Sequence, residues 1–343
     1  MVTERASHGM KGRTKAAIYA AIVAVLAVLP LTGLLTVYYT HIMIGVFIWV
    51  LVTSSLRLLG LSGLNSIGHA GFMSIGAYVS AILAKYLGWN PWVTMPIGVL
   101  CTVIVAYLVA VPFTRVRGIY FTMVSLFFGI AAMAVIQLFN AWTGGYSGLG
   151  SIPSLLGYPK QPYYYLCLFL LVVCLAIMYR IENSRIGLTW KAVAQSPQVA
   201  SSIGIDEAGQ RIQCMTIGCL FAGVAGAVYA HYFLVITEET FSFNTSINLF
   251  VYMMVGGMQQ FAGPIVGTAV LLIIPEIARD LKEYVPFVFA AILLIVLFAM
   301  PEGLAGLPDQ IAAWRRKSRE GQTDGSAAPD GTVSNEEVLN SAP

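Results

Sequence analysis

Apolar residues fill long continuous runs of this chain, and charged residues are largely confined to the gaps between the runs. A membrane-spanning helix needs about 20 predominantly apolar residues to cross the hydrocarbon core. On this measure the chain predicts full-length segments at 16–35, 41–59, 67–87, 91–113, 119–139, 163–181, 212–234 and 285–300. Two shorter runs, at 245–257 and 264–279, contain glycine breaks. The pattern predicts an all-α polytopic membrane protein with about ten hydrophobic segments.

The ends of this pattern define the expected organisation. The segment at 16–35 follows a basic tail, as in a signal peptide, but it exceeds a usual signal-peptide core and no small-residue cleavage site follows it. We therefore expect a retained first helix. The two short runs form either two thin spans or one re-entrant hairpin, and the topology is the same in both cases. The predicted regions are a cytoplasmic tail (1–15), a transmembrane domain (16–304) with a cytoplasmic loop (182–211), and a disordered cytoplasmic tail (305–343).

Composition supports a membrane protein and excludes other classes. Hydrophobic residues make up 58% of the chain and charged residues only 10%, which is too little charge to cover a soluble protein of this length. A transmembrane β-barrel would show short alternating segments instead of continuous runs. The net charge of +3 needs no nucleic-acid partner to explain it. The five cysteines lie in apolar runs without metal-ligand spacing, so we interpret them as packing residues.

The basic residues predict the orientation of the chain. Cytoplasmic loops of membrane proteins collect lysine and arginine. With the N-terminus inside, every sizeable basic group falls inside: Arg57, Arg115 with Arg117, the 180–211 stretch and the C-terminal tail. The aromatic loop at 140–163 and the acidic pair Glu238 and Glu239 fall outside.

The stretch at 60–85 is the segment around which we expect the bundle to be organised. It is rich in glycine and begins with the polar residues Asn65, Ser66 and His69. Small residues let helix backbones approach closely, and an irregular polar backbone at membrane depth is tolerated where it lines a cavity. We predict a substrate path or gate formed by Asn65, Ser66, His69, Ser74, Gly256 and Gly257. The alternative is a polar cluster that only caps the helix.

Small residues at four-residue spacing predict close helix packing elsewhere in the bundle. The helix-packing candidates are Gly71, Gly218, Ala222, Gly226, Gly263 and Gly267. The apolar runs hold almost no ionisable residues, whereas ion-coupled transporters usually bury charges at mid-membrane. A neutral path suits a zwitterionic or uncharged small molecule. No nucleotide-binding or hydrolase motif is present, so we expect no enzyme activity on this chain.

The cytoplasmic loop at 182–211 contains a predicted short helix at 197–203. Ser196 is a favourable N-cap, Pro197 suits the first helical position, and Gly204 is a favourable stop. Val199, Ser202 and Ile203 share one face of this helix. The helix either docks on another protein or packs back on the bundle.

Five motifs, in order along the chain, resemble a known family. They are the stretch from Gly63 to Tyr78, the stretch from Arg117 to Val124, the loop from Ser184 to Ile205, the stretch from Ala222 to Ala230, and the glycines from Gly256 to Gly267. Together they resemble the LivM-type permease subunits of ABC importers for branched-chain amino acids. The resemblance runs from about residue 40 to 304. The chain departs from the family pattern at Leu64-Asn65-Ser66 and at Ala200-Ser201-Ser202.

The resemblance implies a fold, partners and a mechanism. It implies the type II permease bundle of cobalamin importers, located in the bacterial cytoplasmic (inner) membrane. The implied partners are a second, LivH-like permease subunit, two ABC ATPase subunits and an extracytoplasmic substrate-binding protein. ATP and magnesium would bind the ATPases, with no cofactor on this chain. The residues implied in ATPase coupling are Arg185, Gly187, Ser196, Pro197, Val199, Ile203 and Gly204.

The expected function is that of a permease subunit working by alternating access. The expected substrates are branched-chain or other small apolar amino acids. Two alternatives stay open at this point: an ion-coupled or facilitative carrier of a small neutral solute, and an ABC permease for urea or short amides.

Overall fold

Between residues 37 and 277 the helices follow the predicted segments closely. The structure is a computed structural model, and it describes residues 21, 23–32, 36–157, 161–277, 290, 294, 303 and 304. We number the main helices α1 to α10: Val37–Gly60, His69–Tyr86, Pro91–Phe113, Ile119–Leu138, Gln161–Glu182, Arg185–Gln195, Pro197–Ser202, Glu207–Phe233, Phe243–Gly256 and Gly263–Ile277. The predicted tails at 1–15 and 305–343 lie outside the described residues, as does the segment at 285–300 apart from residues 290 and 294.

Short turns complete the described chain. Residues 23–28 are helical, within the first predicted segment, and Leu29–Thr32 forms a 3-10 turn. One helical turn at Asn140–Thr143 and two 3-10 turns at Gly145–Ser147 and Glu238–Phe241 lie in the connecting segments. No strand occurs among the described residues, where β pairing is limited to a single antiparallel bridge between Leu149 and Ile236. The all-α prediction is confirmed for this part of the chain.

Five of the described helices are long and apolar enough to cross a membrane: α1, α3, α4, α5 and α8. Helix α2, predicted as a full span, has 18 residues and is not among the five. Its glycine, serine, histidine and lysine residues lower its apolar character. Helix α9, with 14 residues, is about 21 Å long at 1.5 Å per residue. It is therefore short compared with a hydrocarbon core of about 30 Å.

Helix α2 lies at the centre of the bundle. Three neighbouring helices contact its backbone directly. A Cβ atom on Gly76 would lie 2.4 Å from the carbonyl oxygen of Gly223 in α8, and one on Gly98 in α3 would lie 2.7 Å from that of Gly76. On the side of α4, a Cβ atom on Gly68 would lie 1.7 Å from the carbonyl oxygen of Ser125. Only glycine allows backbones to approach this closely. These close backbone contacts therefore hold α2 against three helices.

Burial differs strongly among the apolar helices. The most apolar windows of α1 and α8 are 78% and 61% buried, whereas that of α4 is only 17% buried. Helices α1 and α8 thus form the interior with α2. Helix α4 turns most of its apolar side chains outward, toward lipid or another protein chain.

Candidate functional site

The loop between α5 and α8 presents a short exposed helix, α7. The Ser196 side chain accepts a hydrogen bond from the backbone N–H of Val199 at 3.4 Å, and Pro197 occupies the first turn. Gly204 has φ of +85°, a left-handed conformation that favours glycine after a helix. The helix predicted at 197–203 is therefore confirmed as Pro197–Ser202. Ser196 is its N-cap, and Gly204 follows its C-terminal end, as predicted.

The exposed face of α7 carries two large apolar side chains among polar ones. Val199 and Ile203 are 62% and 70% exposed, and Ser202 is exposed beside them. Ala200 on the opposite face is buried at 2% exposure. Contiguous exposed apolar side chains are a feature of protein interaction sites, and Val199 and Ile203 form a short strip of this kind on the loop between α5 and α8. The helix thus packs inward through Ala200 and leaves Val199 and Ile203 accessible to another chain.

Helix α6 anchors the loop to the bundle. Trp190 and Val193 are fully buried, whereas Arg185 is exposed. A Cβ atom on Gly187 would lie 2.3 Å from the carbonyl oxygen of Glu182, so glycine is needed where α6 turns back on the end of α5. This packing connects α7 to the bundle through α6.

A buried charged network lies where α6 meets the bundle. Arg57 near the end of α1 forms two hydrogen bonds with Glu182, at 2.7 and 3.0 Å, and both side chains are less than 10% exposed. Lys191 of α6 contacts the same carboxylate at 3.0 Å. Arg57 also donates to the backbone carbonyls of Met258 and Gln259, at 2.9 and 3.3 Å. The network therefore joins α1, α5, α6 and the segment after α9.

This network corrects the sequence-based interpretation of Arg57 as a cytoplasmic basic marker alone. Its side chain is buried and paired, because a carboxylate and two carbonyl oxygens replace the water that a guanidinium requires. Arg57 and Glu182 are 125 positions apart in the sequence. No local pattern could have indicated the pairing.

The predicted gate residues before α2 form a buried polar group. The Nε2 atom of His69 lies 2.7 Å from the Ser55 Oγ atom of α1. Within the described part of the chain, the Asn65 Oδ1, Ser66 Oγ and His69 Nδ1 atoms are buried without a hydrogen-bond partner. The N-cap of α2 is Gly68 and has no side-chain cap. These side chains therefore do not act as a helix cap.

The other gate candidates are placed differently. Ser74 donates to the carbonyl oxygen of Gly71 in its own helix at 2.7 Å. Gly257 has φ of +106° at the end of α9. A Cβ atom on Gly256 would lie 1.9 Å from the carbonyl oxygen of Gly263 in α10. These two glycines thus lie in a backbone contact between α9 and α10.

The two irregular segments approach each other beside Gly60. A Cβ atom there would lie 3.5 Å from the Met258 Cε atom and 3.9 Å from the Asn65 Oδ1 atom. The polar break before α2 and the glycine break after α9 are therefore neighbours in space, and the Arg57 network lies against the second break.

The helix-packing candidates all lie in tight contacts. A Cβ atom on Gly226 would lie 2.0 Å from the carbonyl oxygen of Met73, and one on Gly218 would lie 1.9 Å from the Leu59 Cδ1 atom. A Cβ atom on Gly71 would lie 3.2 Å from the Gly129 Cα atom, and one on Gly267 would lie 2.2 Å from the carbonyl oxygen of Tyr252. The remaining candidates are Ala222, which is fully buried, and Gly263, which lies against the Gly257 carbonyl oxygen.

A bundle with five membrane-length apolar helices, close glycine seams and an exposed loop helix defines a multi-pass membrane protein. The family model described as the permease component of branched-chain amino acid transport systems matches residues 38–300. The chain belongs to this family, and the resemblance found in its motifs is confirmed.

Curated relatives agree with this assignment. The LivM high-affinity branched-chain amino acid permease protein of Salmonella typhimurium is 28% identical over 299 residues, which cover 78% of this chain and 69% of the relative. LivM of Escherichia coli is 28% identical over 275 residues, covering 71% of this chain and 64% of the relative. LivH of Escherichia coli is 30% identical over 193 residues, covering 54% and 59%. The chain thus spans roughly two thirds of the length of the LivM relatives. No solved structure matches the chain significantly.

Proposed function

We propose that this chain is a transmembrane permease subunit of an ATP-driven ABC importer for branched-chain or other small apolar amino acids. Its membership of the branched-chain amino acid permease family supports this function. The exposed Val199 and Ile203 side chains of α7, on a loop between two apolar helices, support the mechanistic part of the proposal. We place the chain in the bacterial inner membrane with both termini in the cytoplasm.

The proposed importer needs further chains. A second, LivH-like permease subunit would complete the pathway, and the similarity of this chain to LivH supports a homologous partner. Two ABC ATPases would bind and hydrolyse ATP, and an extracytoplasmic binding protein would deliver the substrate. The proposed permease fold is the type II bundle, with ten segments.

The proposed mechanism is alternating access driven from α7. Closure of the ATPases on ATP would move α7, and α6 would pass this motion to Glu182 through Lys191. Arg57 would then shift the segment at Met258 relative to α1. Because that segment lies beside the break before α2, the motion would open the path on one side and close it on the other. ATP binding can drive this change only if α7 fits the open and closed ATPases differently.

Aspartate at both Val199 and Ile203 tests the docking role of α7. Two apolar anchors of an interface each contribute more than about 1 kcal/mol, so we expect the ATPases to bind at least about 30-fold more weakly. Folding should be unaffected because both side chains are mostly exposed. The measurement is co-purification of the ATPases, together with ATP hydrolysis stimulated by the loaded binding protein.

Tyr146→Asp serves as the control for this double variant, since Tyr146 is 77% exposed in the segment between α4 and α5. This control should leave ATPase binding unchanged. Normal ATPase binding by the double variant would contradict the docking role.

A further inference from the structure

Two buried polar atoms lie unpaired in the described chain, one on α2 and one in the turn after α8. The Tyr78 side chain lies on α2, about 14 Å along the helix from His69 at 1.5 Å per residue. Tyr78 is only 4% exposed, and its hydroxyl has no hydrogen-bond partner among the described residues. The Glu238 Oε2 atom, in the turn after α8, is likewise buried and unpartnered in the described chain.

The turn that carries Glu238 also carries Phe241, which packs on the Tyr78 side chain. Phe241, in the same turn as Glu238, packs edge-on against the Tyr78 ring with the centroids 5.9 Å apart, and it also contacts Tyr229 at 6.0 Å. The antiparallel bridge between Leu149 and Ile236 fixes the chain just before this turn. The pair is therefore held in place by packing on both sides.

Glu238 differs from the paired carboxylates Glu182 and Glu207, because one of its two oxygens is buried without a partner among the described residues. Glu182 is paired with Arg57 and Lys191, and Glu207 with Arg117 and Arg211. Within the described residues no lysine, arginine or histidine forms an ion pair with Glu238. A buried carboxylate oxygen without a hydrogen-bond donor is unfavourable. The Glu238 Oε2 atom therefore lacks a donor, which another molecule can supply.

The position of Tyr78 connects this pair to the proposed path. Ser66, Ala70, Ser74 and Tyr78 recur at four-residue spacing, which places the last three on one side of α2. The backbone N–H of Ala70 donates to the Ser246 hydroxyl at 3.3 Å, so the first turn of α2 contacts α9. The Ser74 and Tyr78 hydroxyls follow on the same side of α2 as Ala70.

We propose that Glu238 and Tyr78 form a binding site for the zwitterionic head of the amino-acid substrate. The Glu238 carboxylate would accept hydrogen bonds from the substrate ammonium group. The Tyr78 hydroxyl would donate one to the substrate carboxylate. Both groups are charged in the substrate, and hydrogen bonds to charged groups are the strong ones. This inference rests on the proposed function and adds to it a recognition site on the permease itself.

The experiment uses the complete importer in proteoliposomes, with binding protein and ATPases, and compares Glu238→Gln with Glu239→Gln. Glu239 is adjacent in the same turn, so its variant controls for the loss of one charge. Leucine import and ATP hydrolysis are measured together. We expect Glu238→Gln to lower the leucine imported per ATP hydrolysed at least about tenfold, because a charge-assisted bond is lost. Glu239→Gln should retain the wild-type ratio.

Two further variants separate recognition from structure. Glu238→Asp keeps the charge and should retain more of the ratio than Glu238→Gln, and Tyr78→Phe should lower it by a smaller factor. A wild-type ratio for Glu238→Gln, or a parallel loss of import and ATP hydrolysis, would overturn the site. If the wild-type importer itself accumulates no leucine, the proposed function fails and the site fails with it.

Discussion

Replacing Arg57 with glutamine is expected to destabilise the protein by about 3–5 kcal/mol, the usual effect of removing one partner from a buried ion pair. Glu182 would remain buried with only Lys191, whose side chain is 40% exposed, as a cationic partner. The carbonyl oxygens of Met258 and Gln259 would lose their donor as well. The thermal unfolding midpoint of the detergent-solubilised protein should therefore fall markedly.

Arg117→Gln is the matched control, because it removes another arginine from an ion pair of the same length. Arg117 lies 2.7 Å from Glu207, but its side chain is 58% exposed. Exposed pairs contribute at most about 1 kcal/mol, so the midpoint should shift little. Equal shifts for the two variants would contradict a structural role for the buried network.

Removing both charges separates stability from coupling. The double variant Arg57→Met with Glu182→Met leaves no buried charge between those two positions, and apolar replacement of a buried pair is often close to neutral. We expect it to recover much of the stability lost in Arg57→Gln. We expect this double variant to lose the ATP hydrolysis that the loaded binding protein stimulates, because α6 and the Met258 segment are no longer joined.

The second large effect is expected from Gly226→Val. Any Cβ atom at this position would lie 2.0 Å from the carbonyl oxygen of Met73, and the α2 backbone cannot move away without opening the seam. Overpacking of this kind costs about 1–3 kcal/mol and sometimes more. We expect a sharp loss of monodisperse protein after detergent extraction.

Gly45→Val is the control for this substitution, since a Cβ atom on Gly45 in α1 would meet no other atom within 4 Å. It introduces the same residue into another apolar helix. The yield of folded protein should be unchanged. Similar losses for both variants would show that valine itself, and not the close approach of α2 and α8, is responsible.

The helices can be predicted from the sequence because their signals are local. Long apolar runs determine where α1, α3, α4, α5 and α8 lie. The short helix α7 is predicted from Ser196, Pro197 and Gly204 alone, since caps and left-handed stops depend on adjacent residues.

The network and the recognition site cannot be predicted in this way, because they depend on pairings between distant segments. Arg57 and Glu182 are each visible in the sequence, but nothing local places them together or in the interior. The sequence indicates only that Glu238 belongs to an acidic outer loop. In the structure one of its oxygens is buried, in a turn whose Phe241 packs against Tyr78. Helix α2 is less apolar than the five membrane-length helices. Its small residues lie against neighbouring helices of the bundle.

The central claim is that this chain moves amino acids only with power supplied by partner ATPases. The most direct measurement is leucine accumulation in proteoliposomes that contain this chain alone or the complete importer, with and without ATP. The account predicts accumulation against a gradient only for the complete importer with ATP. Accumulation by this chain alone, driven by a proton or sodium gradient, would contradict it.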